Sequence, residues 1–182
     1  MIAFEGYPFR KSSVIPKRGD PALKATHIYT FTTRKKTRYI VNVDEYKLDV
    51  YIVKFFVKSH SSSKSRYSLL TNERDARKII YTCVEIGNSI YSNNNIASFG
   101  FVGSPISEEK RRENKLFNTK RFRVYKYFAL FFFSPDNFEH TTNMNYSSYL
   151  LVNKKNIASN PSLKKDIISM FEDNYDMDSL MC

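Results

Sequence analysis

Apolar and polar positions alternate along this chain in short blocks that predict strands, interrupted by three segments of helical period. Thr26-His27-Ile28-Tyr29-Thr30-Phe31-Thr32 is β-branched and aromatic with a period of two. The cluster Arg34-Lys35-Lys36 turns the chain, and Arg38-Tyr39-Ile40-Val41-Asn42-Val43 repeats the pattern. Asp44-Glu45 reads as a break, and Val50 to Val57 as a third strand with an apolar run too continuous for an exposed edge. Short connections make these three an antiparallel meander. Upstream, residues 1–24 hold Pro8, Pro16, Pro21, Gly6 and Gly19 and predict an extended N-terminal arm. Alternation of Ile2, Phe4, Tyr7 and Phe9 is also compatible with a short strand along a sheet edge.

Beyond a Ser-rich loop from Ser59 to Ser65, Asn72 reads as a helix cap with Glu73 and Asp75 in the first turn. Ile79, Ile80, Cys83, Val84, Ile86, Gly87 and Ile90 then keep helical spacing to about Tyr91. Ala97 to Gly103 is a strand whose glycines imply close backbone approach or a bulge. A charged loop with Glu108-Glu109-Lys110-Arg111-Arg112 follows. Asn118 or Thr119 caps a second helix ending before Ser134-Pro135, its second half apolar around much of its circumference and therefore expected to be buried on more than one side. Phe138–Thr142 and Tyr149–Asn153 form a strand pair, and Asn160-Pro161 opens a last helix through Ile167, Ile168, Met170 and Phe171. The prediction is an α+β fold with a mainly antiparallel sheet, order β-β-β-α-β-α-β-β-α, and helices packed on one face. One domain spans 25–175, with an acidic tail over 176–182.

Composition narrows the class. At 182 residues with 15 Phe and 13 Tyr, the chain is long and aromatic enough for one packed domain and unlike a disordered chain. Two cysteines, Cys83 and Cys182, exclude a disulfide scaffold and a four-cysteine zinc site. The most apolar run, Phe128 to Phe133, is far short of the ~20 residues of a membrane span, and no signal peptide is legible, so a cytoplasmic location with no membrane partner is expected. Net charge is +11, unevenly spread: residues 1–135 hold 25 basic and 11 acidic side chains, residues 136–182 only 4 and 7. A basic body suggests a polyanionic partner for which the acidic tail would compete; a solvated surface without a ligand fits the same numbers.

Two basic segments are the candidate anion and nucleic-acid contacts. Arg34, Lys35, Lys36 and Arg38 occupy a hairpin tip. Lys120, Arg121 and Arg123 open the second helix, where free N–H groups and the dipole favour a phosphate or carboxylate. Tyr29, Phe31, Tyr39 and Tyr51 are either a base-stacking platform or core. His27, His60 and His140 are too far apart in sequence for a zinc motif, so no metal and no cofactor is expected. His140, beside Glu139, is the best acid–base candidate, with His60 second; Cys83 reads as inert core. No Gly-rich dinucleotide loop, P-loop or nucleophile elbow is present.

The segments Tyr51–Phe55, Tyr81–Val84, Ala97–Gly103, Asn118–Tyr125, Phe138–His140 and Tyr149–Asn153 together resemble a group of single-domain bacterial proteins without an established activity. Covering residues 26–175, the resemblance implies the α+β fold and a bacterial or phage cytoplasmic origin, and carries over no catalytic residue. Three functional readings follow. The first is a non-enzymatic nucleic-acid-binding domain. The second is a protein partner, as an accessory or inhibitor in a bacterial defence, anti-defence or toxin–antitoxin system. The third is an RNA-acting enzyme using His140 or His60. Homodimerisation through the Phe-rich helix or a sheet edge is compatible with each.

Overall fold

The computed structural model describes residues 5–69, 75–106, 108–111 and 113–174. Seven strands form one sheet in the order β1-β2-β3-β4-β5-β7-β6. They are β1 Phe9–Pro16, β2 Leu23–Thr32, β3 Arg38–Tyr46, β4 Val50–Val57, β5 Ser98–Val102, β6 Phe138–Asn143 and β7 Ser148–Asn153. The helices are α1 Ala76–Asn93, α2 Lys120–Phe132, α3 Lys154–Ser159 and α4 Leu163–Asn174. Every neighbouring pair is antiparallel except β4 and β5. The fold is α+β, with one strand more at the front and one helix more at the end than the pattern predicts.

Each departure has a physical cause. Residues 9–16 of the expected arm are the edge strand β1, paired with β2 through a bulge at Ser12. Strand β3 runs through Asp44-Glu45 because both carboxylates find partners on adjacent strands. Asp44 accepts from Thr26 at 2.6 Å and pairs with Lys54 at 3.0 Å, and Glu45 pairs with Lys24 at 2.5 Å and His27 at 2.7 Å. Burial pushes the Glu45 carboxyl up, but the bonds from Lys24 and His27 outweigh it and hold it below the ordinary carboxylate value. The chain turns instead at Leu48 and Asp49, which take left-handed φ values of 64° and 56°. Asn153 nucleates the unforeseen α3 by accepting from the Lys155 N–H at 2.9 Å. The expected Asn72 cap and Glu73 lie outside the described residues, as do the 176–182 tail and Cys182. Asp75 precedes α1 without a side-chain cap bond and accepts instead from the Tyr7 hydroxyl at 2.7 Å.

Two buried clusters lie on opposite faces of the sheet. Tyr29, Phe31, Tyr39, Val41, Val43 and Tyr51 meet α1 and α2 through Ile79, Ile86 and Phe122. Tyr46, Val50 and Val152, on the opposite strand parity, meet Leu163 and Ile167 of α4. The expectation of helices on one face therefore holds for α1 and α2, while α4 covers the other. Its reason is the register of β4 and β7: with Tyr51 and Tyr149 committed to one side, Val50 and Val152 face the other and need a cover.

The outer face of α2 departs from expectation more plainly. Val124, Tyr127, Leu130 and Phe131 are exposed, Tyr127 and Phe131 by 60% and 59%. Only the face bearing Phe122, Phe128 and Ala129 is buried. Because α2 already lies on the sheet and beside α1, where the Tyr81 and Phe132 rings meet at a tilt with centroids 4.9 Å apart, its far side faces solvent.

Candidate functional site

Topology gathers the basic residues at one end of the sheet. Strands β4 and β5 are parallel, so α1 must return between them, beginning near the C-terminal end of β4; α2 begins beyond the C-terminal end of β5. The β2–β3 hairpin tip lies at the same end, because Tyr39 pairs with Val57. Arg34, Lys35, Lys36 and Arg38 at the tip thus share that end with Arg77 and Lys78 in the first turn of α1 and Lys120 and Arg123 in the first turn of α2. Arg34, Lys35, Lys36 and Arg38 are all exposed, and none forms an ion pair among the described residues. Lys36 adopts φ 62° at the turn, which leaves the tip side chains projecting from a tight bend.

The start of α2 is different. It does carry an anion, but the chain's own. Glu109, 1% exposed, accepts from the Lys120 N–H through Oε1 at 2.8 Å and from the Ile106 N–H through Oε2 at 3.1 Å. Thr119 Oγ1 caps the Phe122 N–H at 3.2 Å and donates to the Gly103 carbonyl at 2.6 Å. A buried carboxylate at a helix N-terminus is stabilised by the dipole and by both N–H bonds. Gly103 permits the docking: a Cβ there would sit 2.4 Å from the Phe122 nitrogen. The cationic side chains are also committed. Lys120 pairs with Glu108 at 3.2 Å, Arg121 donates to the carbonyls of Tyr67 and Leu69 at 2.6 and 2.9 Å, and Arg123 donates to the Asn118 carbonyl at 2.6 Å. A ligand anion at the helix axis would have to displace Glu109. Nothing in the local sequence marks Glu109 for this role, since only the folding of the 104–117 loop brings it to the helix.

The structure also contains a cavity that sequence reading did not anticipate. Strands β4 and β5 pair over only Val50–Ser98, Tyr51–Phe99 and Ile52–Gly100, then diverge. The gap between them is a cavity of about 210 Å³ lined by residues of both sheet faces, among them Lys54, Phe55, Phe101, Tyr125, Arg121 and Leu150. Two further spaces, of about 90 and 280 Å³, share its wall at Phe55 and Tyr125. Crevices at the C-terminal ends of adjoining parallel strands are where α/β sheets receive ligands, and the same geometry arises here from a single parallel pair. Lys54 is neutralised by Asp44 and lies over the Tyr67 ring. Burial pushes the Tyr125 phenol up to about 12, with Arg121 working against it.

The remaining candidates have structural partners. Tyr29, Phe31, Tyr39 and Tyr51 are all buried, with Phe31 and Tyr39 stacked at 5.0 Å, so the four rings are core and present no platform. Burial pushes the Cys83 thiol well above its ordinary value, which leaves no thiolate nucleophile there. His140 Nε2 lies 3.0 Å from the Phe133 carbonyl and Nδ1 2.7 Å from the Tyr149 hydroxyl. A carbonyl only accepts, so Nε2 carries the proton and Nδ1 accepts from Tyr149. Both nitrogens are thereby used in joining β6, β7 and the end of α2. Glu139, its neighbour in β6, points to the other face of the strand and binds Lys164 at 2.5 Å. Among the described residues no group of three or more His, Cys, Asp or Glu side chains could hold a metal ion. Nor is any of their helices long and apolar enough to cross a membrane.

Two outcomes follow. Glu109→Ala, which orphans two N–H groups at a buried helix start, is expected to lower unfolding free energy by about 2–4 kcal/mol, and Glu109→Gln by roughly half that. Urea midpoints at unchanged m-value measure it. Burial holds the His140 pKa below its ordinary value, against the Phe133 bond, with Lys154 adding to the depression. Between the folded and unfolded pKa values the unfolded chain binds the extra proton, so this contribution is complete above the unfolded value and is lost as pH falls through the folded one. Urea midpoints of wild type should therefore fall more steeply than those of His140→Asn as pH drops below about 6.5; equal slopes would assign the acid sensitivity elsewhere.

Comparison of this chain with family models, with curated proteins and with solved structures finds no match in any of the three.

Proposed function

We propose that this protein is a non-enzymatic nucleic-acid-binding domain whose contact surface is the basic end of the sheet, centred on the β2–β3 hairpin tip. The observation that carries the reading is the state of Arg34, Lys35, Lys36 and Arg38: four exposed cations on a tight turn, none with a carboxylate partner among the described residues. Within the sheet, by contrast, Glu45 pairs with Lys24 and Asp44 with Lys54. Unneutralised charge at one tip is a cost in self-repulsion that a phosphate backbone relieves, with counterion release supplying the free energy. Lys120 and Arg123 flank this surface from α2 with their charges partly engaged, and Arg121 is directed to the loop at Tyr67 and Leu69. With the aromatic strand residues buried, the binding mode is backbone contact without base stacking, and affinity should vary little with sequence.

The test uses a labelled single strand and a duplex, titrated between about 50 and 200 mM salt. Wild type should lose affinity steeply over that range. Replacing all four tip cations by Ser should weaken binding and reduce the slope of log K against log salt by about 0.7–0.9 per phosphate contact removed. Binding that ignores salt, or a slope unchanged in the variant, would sink the reading.

A second reading, a protein partner, is favoured by the exposed apolar stripe Val124, Tyr127, Leu130 and Phe131 on α2. A contiguous exposed apolar patch is a common mark of an association surface. It predicts that Tyr127→Lys with Phe131→Lys leaves unfolding stability within about 0.5 kcal/mol while abolishing any self-association seen by sedimentation velocity. A wild-type chain that is monomeric at all concentrations would count against the homodimeric form of this reading.

A further inference from the structure

We propose that the cavity at the β4–β5 junction is a binding site for a small aromatic carboxylate, its ring seated in the gap between the strands and its charge on Arg121 and the Tyr125 hydroxyl. The inference stands apart from the nucleic-acid reading, which uses the hairpin tip.

Three features of the wall point to such a ligand. The first is charge. Arg121 is half-buried, its two hydrogen bonds go to neutral carbonyls, and no carboxylate lies within ion-pairing distance of it among the described residues. Two hydrogen bonds leave three of the five guanidinium N–H donors for a planar, bidentate partner. Lys54 is already answered by Asp44, and Glu172 is exposed at the rim. The carboxylate is therefore expected on the α2 side.

The second feature is the set of polar atoms that face the same space. Tyr125 lies one turn beyond Arg121, on the same face of α2, and its hydroxyl has no hydrogen-bond partner among the described residues. Its high pKa keeps it a neutral O–H donor at physiological pH. From the opposite side, Thr141 Oγ1 is buried without a partner in the same wall. Buried hydroxyls are rarely left unpaired, and Thr141 Oγ1, with the Tyr125 hydroxyl free to donate into the same space, marks an acceptor-bearing guest.

The third feature is size and lining. Phe55, Phe101, Ile52 and Leu150 present apolar surface along the gap, and at about 210 Å³ it exceeds the roughly 150 Å³ that holds a benzene ring. That leaves space for a ring with a carboxylate substituent. Gly100 keeps the passage narrow yet open: a Cβ there would meet Ile52 Cδ1 at 2.6 Å.

Calorimetric titration of the full chain with 2-naphthoate and with neutral 2-naphthamide tests the proposal. One-to-one binding of 2-naphthoate, about tenfold tighter than the amide, is expected. Tyr125→Phe, which keeps the ring and removes only the hydroxyl, should weaken 2-naphthoate about three- to tenfold with an unchanged melting temperature. Arg121→Gln should erase the preference for the anion. Absence of binding at millimolar 2-naphthoate, equal affinity for acid and amide, or wild-type affinity in Tyr125→Phe would each overturn it. The first two outcomes need no variant, so a folding defect in Arg121→Gln leaves the test decisive.

Discussion

The structure depends on three residue pairs. Val50–Ser98, Tyr51–Phe99 and Ile52–Gly100 are the whole of the parallel ladder, and within the sheet they connect the β1–β4 meander to β5, β7 and β6. A parallel pair needs a crossover, so α1 is forced across the face of the sheet and both helix starts fall at one end. The ladder is short, and its shortness leaves a gap that opens into a cavity between the halves. Longer pairing would close the gap and continue the sheet. Asn153, 1% exposed, braces the junction from β7: its side-chain amide donates to the carbonyls of Asn95 and Ala97 while its oxygen caps α3.

Charge has been handled in two distinct ways. Where a carboxylate is buried, it is paired at close range, as with Glu109 at the α2 start and with Asp44 and Glu45 in β3. These groups serve folding. At the hairpin tip the cations are exposed and have no such partners among the described residues, which supports the proposal that the tip, rather than the helix start, meets an external polyanion. Arg121 belongs to neither group, since it holds a loop through two carbonyls and has no carboxylate partner among the described residues. That separation divides Lys120, Arg121 and Arg123 of one basic string among different contacts.

Much of the fold was legible in the sequence because its cause is local. The period-two runs at Thr26–Thr32 and Val50–Val57, the Thr119 cap and the Ser134-Pro135 stop each act within a few residues, and the structure follows them. Gly103 announced close approach, and Phe122 is what approaches. The strand extension through Asp44-Glu45 was hidden, because its partners Thr26, Lys24, His27 and Lys54 are distant in sequence until the sheet forms. The exposed stripe on α2 was likewise hidden: helical periodicity counts apolar positions and does not say how many faces neighbours will cover.

By itself the sequence determined the fold class, most of the strand and helix positions, and the concentration of positive charge in the first 135 residues. Only the tertiary structure decided which charges remain available and where a ligand has room. Glu109 reaches the α2 N-terminus from eleven positions upstream, and Arg121, Tyr125 and Thr141 meet around one cavity from two elements of the chain. The physical reason is range. Turn and cap chemistry and side-chain periodicity act over one to seven residues, whereas ion pairing and cavity formation act through space, between groups that adjoin only after the β4–β5 ladder has closed.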